Sequence, residues 1–284
     1  MIQTISTAGR GAHNEDLIAT YEREGLTDLV ILDGATSLAD EDYVDPDAGD
    51  VVWFVHAFAM ALGEAIAPDR SQADTVVRAI EQVRTEYDRR TGDTAVPSYA
   101  WPIAALTWVR IRSGRGEMTL DVWCVGDCKT LLRMPDGRVA DLDPYVNPFE
   151  AQLLQRVREE AARGDDPATR LQRLMPVLRE RRASQNATTA PASLCLYPHG
   201  PFDARCHRVG VEPGTMLLMM TDGFYRLVDT YGIYDDAGLA DACRQRGLEA
   251  MMSELRAFEQ GGAASIAIKR ADDASAIAWI AGKR

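Results

Sequence analysis

Leu29-Val30-Ile31-Leu32-Asp33-Gly34 is the stretch that decides the fold. Four successive apolar residues with no polar alternation belong to a strand covered on both faces. They run straight into a carboxylate and a glycine. The pattern returns twice: Val122-Trp123-Cys124-Val125 runs into Gly126-Asp127, and Met216-Leu217-Leu218-Met219-Met220 runs into Thr221-Asp222-Gly223. Asp272-Asp273 stands immediately before a last apolar run, Ser275 to Ile280, and Asn14-Glu15-Asp16 immediately before an early one, Leu17 to Tyr21. Each run must be inside, so each carboxylate sits where a buried strand reaches an edge.

Around these runs, strands and helices alternate in blocks. Asp50 to Ala67 is apolar nearly all round, which predicts a helix covered on several sides. Ser71 followed by Asp74 is a helix start, and Val76, Ile80, Val83 and Tyr87 then fall on one face. Strands are expected at Thr107–Ile111, Met118–Val125 and Thr130–Met134, with a turn at Pro135-Asp136-Gly137. Pro148 to Arg163 reads as a helix closed by Gly164. Another begins at Asp166-Pro167 and is expected to end or kink at Pro176. Strands at Ala192–Tyr197, Cys206–Val211 and Thr215–Met220, then helices between Ala237 and Glu259, precede the last strand. No repeat, low-complexity tract or long Gly/Ser linker divides the chain, so residues 1–284 read as one domain of layered α and β elements.

The balance of 43 acidic against 31 basic side chains, a net charge of −12, works against a nucleic-acid footprint. The longest apolar segment, Val51 to Ala67, carries His56 and Glu64 and is too short to span a bilayer comfortably. Met1 to Ser6 lacks the basic head and apolar stretch of a signal peptide. The five cysteines are odd in number and form no Cys-x-x-Cys pair, so reduced thiols and a cytoplasmic location are expected.

If the carboxylate-bearing edges coincide, four or five anions crowd one place. Two unit charges about 5 Å apart repel by roughly 3 kcal/mol at an effective dielectric near 20, and several such pairs exceed a domain's usual margin of stability. Divalent cations remove the problem, and all-oxygen ligands suit Mg²⁺ or Mn²⁺. Any one Asp-Gly after an apolar run reads as an ordinary turn; their joint order along the chain carries the reading.

In that order, Asn14-Glu15-Asp16, Leu32-Asp33-Gly34, Val125-Gly126-Asp127, Thr221-Asp222-Gly223 and Asp272-Asp273-Ala274-Ser275 resemble the successive motifs of the metal-dependent protein phosphatases, the type 2C serine/threonine (PPM) family. The resemblance runs from residue 10 to residue 280. It implies an α+β fold, a four-layer α-β-β-α sandwich of two antiparallel sheets flanked by helices, with two Mg²⁺ or Mn²⁺ ions in a cleft at the strand ends. By position, Asp33 resembles the carboxylate bridging both ions, and Glu15 and the Gly34 carbonyl resemble ligands of the second. Asp222 and Asp272 resemble ligands of the first, with Asp16 acting there through water, and Asp127 resembles a residue that helps hold a further, looser ion. Arg10 resembles the phosphate-clamping arginine, which puts Asp33, Asp222 and Arg10 at the reaction centre. The implied activity is hydrolysis of phosphoserine or phosphothreonine by a water activated between two metals. The implied partner is a phosphorylated protein, with neither nucleic acid nor membrane, and a monomeric bacterial member is expected.

The chain departs from the family at three places, the first being that the family's clamping arginine usually lies slightly nearer the Glu-Asp pair than Arg10 does. Ala35-Thr36-Ser37 replaces the histidine that eukaryotic members carry after Asp-Gly, which leaves water or another group to deliver a proton; His13 is a candidate but reads rather as a surface loop residue. Arg226 stands where many members have an acid four places after Asp222, so a third ion is expected to be weak or absent unless Asp229 substitutes for that acid. Residues 144–190 correspond to a helical flap-like insertion, and Arg156 to Arg182 holds eight arginines against five acids. That excess reads either as a solvated helical face or as attraction for anionic substrates. The alternative function is a non-catalytic, phosphatase-like binding or regulatory module. A haloacid-dehalogenase-type phosphatase is disfavoured, since that chemistry wants a second acid where Ala35 stands.

Overall fold

Helices on one side and a second sheet on the other explain why the apolar runs lack alternation. In this computed structural model, which describes residues 1–9, 13–23, 25–114, 118–147, 167–261 and 271–282, every strand pairing is antiparallel. One sheet has the order β2-β3-β4-β5-β9, formed by β2 (Asp16–Arg23), β3 (Leu26–Gly34), β4 (Ile103–Ser113), β5 (Met118–Val125) and β9 (Arg205–Val211). The two-residue β8 (Leu194–Cys195) also pairs with β4. The other sheet has the order β1-β11-β10-β6-β7, formed by β1 (Ile2–Thr7), β11 (Ala274–Ile280), β10 (Met216–Met220), β6 (Lys129–Arg133) and β7 (Val139–Asp141).

Successive side chains sort into two cores by the strand period of two. Leu29 and Ile31 of β3 meet Leu217 and Met219 of β10 between the sheets. Val30 and Leu32 face outward against Phe54 and Phe58 of α1 (Asp50–Ala65) and Ile80 and Val83 of α2 (Gln72–Thr91). On the far side, Met216, Leu218 and Met220 pack against the helical turn α4 (Asp222–Tyr225), α5 (Asp236–Arg246) and α6 (Leu248–Gln260). The result is the expected four layers, helix on sheet on sheet on helix. Each fully buried large apolar side chain contributes roughly 1.5–3 kcal/mol through its removal from water.

Register then gathers the carboxylates. Asp16 lies opposite Asp33, Asp33 opposite Ala105, and Leu106 opposite Val125, so Gly126-Asp127 leaves the first sheet at the same edge as Asp33. In the second sheet Met220 lies opposite Ala276, so Asp222 and Asp272-Asp273 leave at one edge too. Buried Thr221 ties the two edges together: its Oγ1 donates to Asp16 Oδ2 (2.9 Å) and accepts the Ser275 N–H (3.0 Å).

Some local expectations change. The strand expected at Ala192–Tyr197 shrinks to Leu194–Cys195. Helix α3 (Pro167–Ala187) does not end at Pro176; a proline removes one N–H, while the bonds on either side still carry the helix. The helical stretch after Ala237 divides at Gly247, whose φ of 82° suits a residue without a side chain. The helix expected over Pro148–Arg163 lies outside the described residues, as does most of the expected insertion before Pro167. None of the helices among the described residues is long and apolar enough to cross a membrane.

Candidate active site

The strand edges open into a cleft of about 270 Å³. Glu15, Asp16, Asp33, Gly34, Asp127, Asp222 and Asp272 all line it, so among the described residues the structure brings every expected ligand position together. Asp273 joins them. Arg10 lies outside the described residues.

Two glycines let the backbones close in. A Cβ on Gly34 would stand 2.5 Å from Val51 Cγ1 and 2.6 Å from the Glu15 carbonyl oxygen, which accepts the Gly34 N–H at 3.0 Å. A Cβ on Gly223 would lie 1.8 Å from the Asp273 carbonyl oxygen. Any side chain at either place would push the β10 or β3 end away from its neighbour.

The acids are held by different means. Thr36 Oγ1 donates to Glu15 Oε2 at 2.7 Å, so the unusual run after Asp33-Gly34 fixes the orientation of Glu15. Asp273 accepts the backbone N–H groups of Gly9 (2.8 Å) and Glu15 (2.6 Å), a bracing role for the second of the two aspartates. Asn147 Nδ2 donates to Asp127 Oδ2 at 3.3 Å, and Arg181 Nη2 donates to Asn147 Oδ1 at 3.2 Å. The loop carrying Asp127 is clamped from behind by Arg205, which grips both oxygens of Asp143 (2.6 and 2.7 Å) and donates to the Gly126 carbonyl (2.5 Å).

Crowding shows in the titration of the innermost groups. Burial, then the charges of Asp222, Asp16 and Asp127, hold the Asp33 carboxyl well above its ordinary range, and it shares a hydrogen bond with Asp222. Burial likewise pushes Asp16 up to about 8, against the lowering effect of Thr221 and Ser275. Cys128, buried behind the cleft, is kept as a neutral thiol by desolvation and by the same acids. Such a site gains from any cation it admits. The donor set is all oxygen, which fits Mg²⁺ or Mn²⁺ in chemistry. Among the described residues, no group of three or more His, Cys, Asp or Glu side chains is already set around a single ion.

Positive charge enters from α3. Arg181 and Arg182 line the cleft, and Arg182 is 7% exposed. Burial lowers its pKa to about 10, so the guanidinium stays charged at neutral pH. Arg179 turns elsewhere, donating to the Leu38 carbonyl (2.8 Å) and Asp40 (2.5 Å) and stacking over Tyr99.

Two residues weighed from the sequence lie away from the cleft. Arg226 does not line the cleft. It is buried beside Glu259 (3.4 Å) and over the Tyr231 ring, so its charge is spent on a structural pair rather than on the strand ends. Nor does His13 line the cleft; it borders a separate open depression with His56. The bracing by Thr221, Thr36, Asn147 and Asp273 was not singled out from sequence, because hydroxyls and amides in loops carry no periodicity.

This architecture has counterparts among solved structures. The S. agalactiae serine/threonine phosphatase superposes with a TM-score of 0.58 at 13% identity, covering 99% of each chain. The chain has the metal-dependent protein phosphatase fold. The Mycobacterium tuberculosis serine/threonine phosphatase PstP/Ppp gives a TM-score of 0.55 at 13% identity over 100% of this chain and 99% of that one. PstP in complex with two manganese ions gives 0.55 at 14% identity, over 99% and 98%. No protein-family model and no curated protein sequence matches the chain. Within the phosphatase fold, the acidic cleft lies where both sheets end.

Proposed function

We propose that this chain is a metal-dependent phosphatase acting on phosphoserine or phosphothreonine in proteins, as a monomer in a bacterial cytoplasm. The observation that carries the reading is the convergence of Glu15, Asp16, Asp33, Asp127, Asp222 and Asp272 on one cleft in this fold. Asp33 would bridge two ions, Glu15 and the Gly34 carbonyl would hold one, and Asp222 and Asp272 the other. Asp16 would act through water, and Asp127 would face a looser third position. Divalent cations, when bound, supply Lewis acidity, which neutralises phosphoryl charge and makes a water acidic enough to react near neutral pH.

The chain's own residues do the positioning. Thr221 holds Asp16, Thr36 holds Glu15, and Asn147 holds Asp127, so the acids meet the ligand with their rotamers already chosen. Arg181 and Arg182 add positive charge to the lining of the same cleft. No histidine among the described residues lines the cleft, which leaves water or another group to protonate the leaving alkoxide.

Millimolar Mg²⁺ or Mn²⁺ is expected to raise the melting temperature, since binding to the native state alone adds about 2.7 kcal/mol at a hundredfold excess over Kd. Asp222→Asn reduces that shift. Thermal denaturation with metal and with chelator checks it, and superimposable curves contradict the metal reading. A second reading, a non-catalytic binding module, draws support from the Ala35-Thr36-Ser37 run that stands after Asp33-Gly34 in place of a histidine. Such a module would retain a phosphopeptide without releasing phosphate.

A further inference from the structure

The carboxylates account for cations, but a phosphorylated substrate also brings an anion, and one side chain in the cleft is unbalanced. Arg182 sits on α3 and lines the cleft at 7% exposure. Its Nη2 donates to a neutral acceptor, the Thr36 carbonyl, at a long 3.3 Å, and its buried Nε–H finds no acceptor. The other buried arginines behave differently. Arg110 pairs with Asp28 at 2.7 Å and Arg226 with Glu259 at 3.4 Å, and even the half-buried Arg205 pairs with Asp143 at 2.6 Å. Among the described residues, no carboxylate stands within ion-pair distance of Arg182. Glu15, whose charge acts on it, is bonded to the Thr36 hydroxyl instead.

A buried guanidinium without a counter-charge is costly, and its fork of N–H groups matches a tetrahedral oxyanion. Arg179, three residues earlier on the same helix, is instead used for surface attachment, to the Leu38 carbonyl and Asp40. We propose that Arg182 is a phosphoryl-binding residue, donating from the helix wall to a non-bridging oxygen of the bound phosphate group. This rests on the phosphatase reading and deepens it, because it separates close contact from long-range attraction. Close contact acts on any phosphate monoester, large or small, and survives salt; attraction by a positive segment favours phosphopeptides and is screened.

The test uses the whole chain with Mg²⁺ and two readouts. Charge-assisted hydrogen bonds of this kind are worth roughly 10- to 100-fold in affinity. Arg182→Gln is therefore expected to weaken inorganic phosphate binding, read by calorimetry, by at least about tenfold. Hydrolysis of an aryl phosphate and of a phosphothreonine peptide falls by similar factors, and the loss persists in 0.5 M salt. Arg182→Lys, which keeps the charge without the fork, recovers part of it, and Arg179→Gln leaves phosphate affinity unchanged. A folded Arg182→Gln that binds inorganic phosphate as tightly as wild type overturns the proposal, as does a wild type that binds none. If the wild type binds phosphate but hydrolyses nothing, the phosphatase reading fails, while loss of that binding in Arg182→Gln still supports the contact.

Discussion

Asp33→Asn is expected to lower phosphatase activity by at least about a hundredfold, close to 3 kcal/mol of transition-state stabilisation. Asp33 leaves the end of β3, directly opposite Asp16 and beside Ala105, and its carboxyl meets Asp222. The charges of Asp222, Asp16 and Asp127, from three different strand ends, all bear on it, which suits a shared ligand. The isosteric amide keeps the volume and removes the charge. In chelator the same substitution should leave the melting temperature equal or higher, since a carboxyl whose pKa is raised by burial and by neighbouring anions destabilises the fold when ionised. Opposite signs for activity and metal-free stability, measured by phosphate release and thermal denaturation, separate a functional carboxylate from a structural one. A variant that loses both would place Asp33 in the framework instead.

The largest effect on stability is expected far from the cleft. Asp28 of β3 lies opposite Arg110 of β4, and both side chains are fully buried, with Arg110 Nε donating to Asp28 Oδ1 at 2.7 Å. Trp108 Nε1 donates to the same oxygen at 2.7 Å, and Arg110 Nη1 reaches the Arg70 carbonyl at 3.1 Å, just before α2 begins. Asp28→Asn strands a guanidinium in the core and should cost about 3–5 kcal/mol of unfolding free energy. Replacing both partners, Asp28→Leu with Arg110→Met, should recover most of that loss, because desolvation of the pair already consumes much of its attraction. Urea unfolding of the wild type and the two variants measures it; equal losses for the single and double variants would show that the pair is net stabilising.

How far these features were legible from the chain follows from their physics. The apolar runs and the acids ending them are local patterns, so buried strands carrying carboxylates at their ends could be read from Leu29–Gly34, Val122–Asp127 and Met216–Gly223, whereas the four-layer sandwich was implied by the resemblance of the ordered motifs to a known family. Asp28 and Arg110 sit 82 residues apart, and nothing in strand periodicity marks them as partners. Thr221 was visible as part of a motif, but its bridge between the two sheets exists only once β2, β10 and β11 end together. The arginines of α3 were legible as an excess of charge; which of them enters the cleft depends on the rotation of the helix, and Arg179 and Arg182 lie three residues apart with different surroundings. For the same reason the place of Arg226 in the motif does not reveal its pairing with Glu259 on α6.

The most direct measurement of the central claim is phosphate release from a phosphothreonine peptide by the purified chain, first with Mn²⁺ and then with excess chelator. The account predicts steady release with metal, abolished by chelator and restored when Mn²⁺ is returned. Equal release in chelator, or none under any metal while the peptide stays bound, would contradict it.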